Sequence, residues 1–236
     1  MVAPTRPRRR RRGAGDDSVG PESVAGVDRG GLRERLDAGL AALGIAADQA
    51  QRDALIAYLA LLARWNQAYN LTAVRDPLEM VGRHLLDSLT LGPYLFGDSV
   101  LDLGTGAGLP GIPLALLHPQ RRFWLLDGNG KKARFVRQAV MELGLRNCEV
   151  VHGRMESYRP GRKFATIVAR AVASLTELQA LGEPLLDRPG RLLLMKGREP
   201  EAELNELSPT AADLRIHRLV VPFEVGERHL IEVRRD

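Results

Sequence analysis

Cysteine is nearly missing from this chain: Cys148 stands alone among 236 residues. A single thiol supports neither a disulfide framework nor a thiolate metal cluster, and it fits a reducing, cytoplasmic setting. Aromatic residues make up only 5%, too few for an evident platform on which RNA bases would stack. No apolar run approaches the roughly 20 residues that span a bilayer, so no membrane partner is expected. The N-terminal stretch also lacks the apolar segment of a signal peptide. The five histidines (His84, His118, His152, His217, His229) share no ligand spacing. No metal site is expected.

What is present reads as a globular protein, with 44% hydrophobic and 27% charged residues. That length holds one sizeable α/β domain and an accessory segment. The net charge of +5 is unevenly spread. Residues 1–31 carry seven arginines against four acids, which leaves the remainder close to neutral. This Pro-, Gly- and Arg-rich stretch shows no periodicity and reads as a disordered tail. It admits three readings: a solvated extension, a basic arm for RNA, or a targeting sequence.

From Leu32 to about Tyr69 the spacing turns helical, with one stripe at Leu32, Leu36, Leu40 and Leu43 and another at Leu55, Leu59, Leu62 and Trp65. Asp76-Pro77, with Glu79 behind, opens a third helix. Leu78, Val81, Leu85 and Leu89 would form its buried face. Residues 32–96 are thus expected to form a helical cap. Residues 97–236 change pattern. Strands are expected at 99–103, 121–127, 148–153, 164–170 and 190–196, with helices opening at PGIPLALL, at about 130–143 and at about 174–187. The closing RIHRLVVPFEVGERHLIEVRR reads as an antiparallel hairpin. Strands alternating with helices imply an α/β fold with a mostly parallel sheet of seven strands.

The chemistry points to DLGTGAGLPGIP at 102–113. Gly104, Gly106 and Gly108 follow the first strand and precede a helix, where backbone N–H groups approach a ligand without an intervening Cβ. A dinucleotide site would place its third glycine at Leu109. Bulk there, followed by Pro110, argues against close pyrophosphate packing, and the D-x-G-x-G form instead suits S-adenosylmethionine. Asp127, at the end of the second strand, is placed to accept hydrogen bonds from a ribose diol. It serves either cofactor.

WNQAYNLTAVRDPLEMVGRHLLDSL, DLGTGAGLPGIPLA, LLDGNGKKARF, ARAVASL, MKG and GERHL together closely resemble the ribosomal RNA small-subunit methyltransferase G family, from about Leu32 to Val233. Gly128 and Asn129 depart from the usual wording after the strand-two acid. The resemblance implies a class I methyltransferase fold (Rossmann-like) with a helical N-terminal cap. The implied reaction moves a methyl group from S-adenosylmethionine to N7 of a guanine in 16S rRNA, family position 527 in the 530 loop. On that likeness Gly104 and Leu109 contact the cofactor, Met155 and Glu156 flank its adenine, and Arg170 closes the site.

Guanine N7 carries an in-plane lone pair and no proton, so this transfer needs placement and no general base. The chain accordingly has no Asn/Asp-Pro-Pro-aromatic run after the fourth strand and no Pro-Cys nucleophile. Cys148 reads as a small buried residue. Arg170, leaving the fourth strand at its carboxyl end, is the expected catalytic residue, holding cofactor or target RNA. Lys131, Lys132, Arg134 and Arg137, with Arg154 and Lys196 on neighbouring strand ends, read either as a phosphate-tracking patch or as a solvated face. His84 with Asp87 reads as structural or substrate-facing. The partner expected is 16S rRNA or the small ribosomal subunit, met by a monomer. Other readings stay open: a methyltransferase of small molecules or proteins with the cap as lid, a nicotinamide-dependent oxidoreductase, and a silent RNA-binding assembly factor.

Overall fold

The computed structural model describes residues 28–170, 173–197 and 213–236. The reading of the tail lies outside the described residues as far as residue 27. Its last members fold: Asp28 caps helix α1 (Arg29–Ala42) by accepting the N–H groups of Gly30 and Gly31. Helix α2 (Gln49–Tyr69) begins with a capping box between Asp48 and Gln51. Leu32, Leu36 and Leu40 face Leu55, Leu59 and Leu62 in the interior.

The third helix departs from expectation. Asp76 accepts the Leu78 N–H and Pro77 opens α3 (Pro77–Met80). The ladder then widens into a π-helical turn (Val81–Leu86) before α4 (Asp87–Leu89). A π turn takes in an extra residue, so the apolar stripe loses register across it. Val81, Leu85 and Leu89 are buried as expected, whereas Leu78, before the turn, is 40% exposed. The same slip turns His84 and Asp87 into the interior.

Seven strands form one sheet: β1 (Ser99–Leu103), β2 (Arg122–Asp127), β3 (Cys148–His152), β4 (Phe164–Arg170), β5 (Leu186–Lys196), β6 (Asp213–Arg218) and β7 (His229–Arg235). Their order is β3-β2-β1-β4-β5-β7-β6. The first five run parallel, and β7 is antiparallel to both β5 and β6. Alternation along the strands sorts side chains between two faces. Val100, Phe123, Leu125, Val168, Leu193 and Leu230 join the cap helices, α5 (Gly111–Leu117) and α6 (Gly130–Glu142) in one apolar cluster. Leu101, Trp124, Leu126, Ile167, Leu194 and Ile231 pack with α7 (Leu175–Gly182) on the other.

Two boundaries shift from the sequence reading. Helix α7 stops at Gly182 instead of running to 187, because Glu183–Leu185 tighten into a 3₁₀ turn around Pro184, which has no N–H to give. Strand β5 therefore begins at Leu186, four residues earlier than expected. The closing hairpin is antiparallel as read, but residues 219–228 join its strands as a long loop. That loop matters for the site.

Candidate active site

Strand order turns at β1, which has β2 on one side and β4 on the other. Connections leave in opposite directions there and open a crevice beyond the carboxyl ends. The glycine turn fills its floor. The Gly104 and Thr105 N–H groups donate to the Leu126 carbonyl at 2.9 Å, which ties the turn to β2. Below it, the buried Asp102 carboxylate accepts the Thr105 hydroxyl at 2.6 Å and the Gly111 N–H at 2.8 Å through one oxygen. Burial raises the Asp102 pKa to about 7, against the pull of those two hydrogen bonds. From the cap, the buried Tyr58 hydroxyl donates to the Ala107 carbonyl at 2.7 Å.

The turn carries φ angles of +79°, +60° and +89° at Gly104, Gly106 and Gly108. A Cβ on Gly106 would meet only the Gly104 carbonyl, at 4.0 Å, and so would point into open space. That space is a cavity of about 350 Å³ whose wall includes Gly104, Gly106, Leu109, Asp127, Lys132 and Arg170. Five of the expected cofactor residues thus converge. Gly108 does not join them: a Cβ there would collide with Ile112, so its smallness serves the packing of α5.

Asp127 is more engaged than its sequence position indicates. One oxygen accepts the Gly106 N–H at 2.8 Å and the other accepts the Asn129 N–H at 2.7 Å. Each oxygen keeps a second lone pair for a ligand hydroxyl. Asn129 in turn caps α6 by accepting from Lys131 and Lys132, so the unusual wording after β2 is a helix start. Met155 and Glu156 sit on a 3₁₀ turn after β3 and line a separate cleft of about 480 Å³ with Arg159 and Arg162.

Arg170 stands between two cavities. It walls the one over the glycine turn and a second of about 410 Å³ shared with His84, Asp87, Lys196 and Arg228. Its Nη1 donates to Asp87 Oδ2 and to the Arg83 carbonyl, both at 3.1 Å. His84 Nε2 shares a 2.9 Å hydrogen bond with the Thr72 hydroxyl, and burial lowers its pKa to about 4, helped by the nearby Arg170 charge. The loop before α3 is knitted by Asn66, which accepts the Thr72 N–H and donates to the Val74 carbonyl. That knitting sets Leu71 and Thr72 on the first cavity's wall.

The expected basic patch divides. Lys131, Arg134, Arg137 and Arg154 are exposed and Lys132 half-buried, and among the described residues none has an ion-pair partner. Lys196 belongs elsewhere. It ends β5, separated from β2 by β1 and β4, three strand spacings or roughly 14 Å, and its Nζ donates to the Ala173 carbonyl. Cys148 is half-buried, with its thiol pushed up to about 12 by burial, and so inert. Among the described residues no group of three or more His, Cys, Asp or Glu side chains is arranged to hold a metal ion.

A family model described as GidB, rRNA small subunit methyltransferase G, matches residues 51–231. The chain belongs to the rRNA small subunit methyltransferase G family. It is 52% identical over 199 residues to the ribosomal RNA small subunit methyltransferase G of Methylococcus capsulatus, across 84% of this chain and 97% of that one. It is 50% identical to that of Pseudomonas aeruginosa over 206 residues, across 86% and 95%. Among solved structures, the plantazolicin methyltransferase BpumL in complex with SAH aligns with a TM-score of 0.54 at 12% identity, over 80% of this chain and all of that one. The ribosomal protein L11 methylase of Lactobacillus delbrueckii aligns at 0.51 and 16% identity, over 64% and 77%. These two likenesses concern the fold, that of class I methyltransferases. Sequence reasoning passed over Tyr58, Asp102, Thr72 and Arg228 as site residues, although Thr72 and Arg228 lie in the family blocks YNLTAVRDP and GERHL.

Proposed function

We propose that this chain methylates N7 of a guanine in the 530 loop of 16S rRNA, presented by the small subunit or its RNA, with S-adenosylmethionine as donor. The carrying observation is the cavity over Gly106, open where a Cβ would stand and closed by Arg170 at the family's glycine motif. The residues fit that cofactor. Gly104 and Gly106, whose N–H groups are already given to Leu126 and Asp127, leave room free of side chain, Leu109 gives an apolar wall, and Asp127 keeps spare lone pairs for a ribose diol. On the family likeness Met155 and Glu156 would flank the adenine, from a turn that lines the neighbouring cleft. When bound, the cofactor supplies an electrophilic methyl group on a sulfonium.

The protein's part is placement. Asp127 is the one carboxylate among the described residues on this wall, and its backbone bonds hold it in place. Guanine N7 requires no general base, since its lone pair is free at neutral pH. Burial keeps His84 neutral beside Thr72, which spares the cleft a further cation next to a positively charged donor. Good placement alone is worth up to about 7–11 kcal/mol in favourable cases.

Labelled S-adenosylmethionine supplied with unmethylated small subunits should mark 16S rRNA at one guanine. Borohydride–aniline treatment, which cleaves at N7-methylguanosine, should break the strand there. Label entering the RNA without that cleavage would sink the N7 assignment. Label entering only protein or small molecules would sink the RNA assignment.

A further inference from the structure

The second cavity, of about 410 Å³, is the more strongly charged of the two. Arg83, Arg170, Lys196 and Arg228 stand on its wall with a single acid, Asp87. Arg83 is partly answered from outside by Glu224 at 3.3 Å. Arg170 and Arg228 converge on a carboxylate only 3% exposed: Asp87 Oδ2 takes Arg170 Nη1 at 3.1 Å, and Oδ1 takes Arg228 Nε at 2.9 Å. One buried negative charge held by two guanidinium groups leaves a net positive charge in the cleft. A guanidinium carries five N–H donors in a fixed plane. The described bonds occupy Nη1 of Arg170, and Nε and Nη1 of Arg228, which donates from Nη1 to the Glu227 carbonyl. The remaining donors are unclaimed among the described residues.

Three distant pieces of chain build this arrangement. Asp87 arrives through the π turn, Arg170 at the end of β4, and Arg228 from the loop before β7, 141 residues from Asp87. Val74 and Met195 add apolar wall beside the charges. The volume exceeds what a lone small anion needs and falls within the range of ligand pockets. Arg170 is common to both cavities, so whatever occupies the second lies next to the methyl donor's site.

We infer that this second cavity seats the target nucleotide, with Arg228 contacting its phosphodiester and Asp87 acting as the positioning residue that aims Arg228 and Arg170. The inference rests on the RNA reading above and names the residues that would read it. Phosphate recognition by arginine is planar and two-pronged. A guanidinium pinned at Nε by a buried carboxylate presents its other edge in a fixed direction.

The test uses the full chain with small subunits across a salt series, together with S-adenosylhomocysteine calorimetry. Arg228→Gln should raise KM for the subunit at least tenfold while cofactor affinity stays within twofold. It should also reduce the slope of log(kcat/KM) against log[salt] by about 0.7, the share of one phosphate contact on a single strand. Arg228→Lys keeps the charge, so the slope should stay while KM rises a few-fold. Asp87→Asn should raise KM with the slope intact, because no cation is lost. An unchanged slope in Arg228→Gln, or equal behaviour of the Gln and Lys variants, overturns the inference. Should Arg228→Gln not fold, an Arg228→Lys KM within twofold of wild type does the same. Wild-type enzyme that methylates no 16S guanine brings down the function itself; methylation that survives Arg228→Gln with its salt slope brings down only the seat.

Discussion

Gly106 and Gly108 share left-handed backbone, with φ of +60° and +89°, but face different surroundings. A Cβ on Gly106 enters the open cavity, whereas one on Gly108 meets the Ile112 side chain in the packed interior. Either alanine incurs about 1–2 kcal/mol of left-handed strain. Overpacking against Ile112 adds about 1–3 kcal/mol at Gly108 alone. Gly108→Ala should therefore melt lower than Gly106→Ala, by roughly 2–4 °C for each kcal/mol at this chain length. S-adenosylhomocysteine affinity should rank the other way. Gly106→Ala should lose at least tenfold, and folded Gly108→Ala should bind nearly as wild type. Calorimetry beside thermal melts separates the two, and wild-type affinity in Gly106→Ala would remove the cavity from the cofactor's path.

At the scale of elements, most of the sheet and its glycine turn were legible because alternation and punctuation are local signals. β1, its turn and Asp127 fall where the sequence places them. The segment from α3 to α4 was legible as a helix but not in its register, since a stripe search assumes 3.6 residues per turn and the π turn breaks it at Val81–Leu86. The pairing of Asp87 with Arg170 and Arg228, 83 and 141 residues away, leaves no local trace. The π turn also buries His84, and this gives a measurable pH signature. Burial lowers the His84 pKa from 6.5 to about 4, so its stability contribution is complete above 6.5 and is lost as pH falls toward 4. Asp102 under the glycine turn runs oppositely. Burial raises it from 3.8 to about 7, so its contribution is complete below 3.8 and is lost as pH rises through 7. The two offset each other in the wild type between pH 4 and 6.5. Melts in half-unit steps should separate them. His84→Gln should remove an acid-side loss, and Asp102→Asn a loss toward neutrality, each on the order of 10 °C. Profiles parallel to wild type in both variants would contradict these assignments.

The whole molecule carries +5, but residues 1–27 hold six arginines against three acids, so the remainder is near neutral. A nearly neutral body attracts a polyanion only through local concentrations of charge, felt within about 8 Å at physiological salt. Two of those among the described residues are the second cavity and the exposed start of α6, where Lys131, Arg134 and Arg137 project near Arg154. The cavity is too small for more than a nucleotide or so, and whether α6 tracks flanking phosphates or is a solvated face is decided at two of its exposed arginines. Arg134→Glu with Arg137→Glu changes two exposed side chains while Ala133, Phe135 and Val136 keep the helix seated. Melting temperature and S-adenosylhomocysteine affinity should stay as in the wild type. KM for small subunits should rise at least tenfold near 100 mM salt, and the salt slope should drop by about 1.4, the share of two single-strand phosphate contacts. An unchanged slope would make α6 an ordinary solvated face and leave the cavity around Asp87 as the charge concentration that meets the RNA.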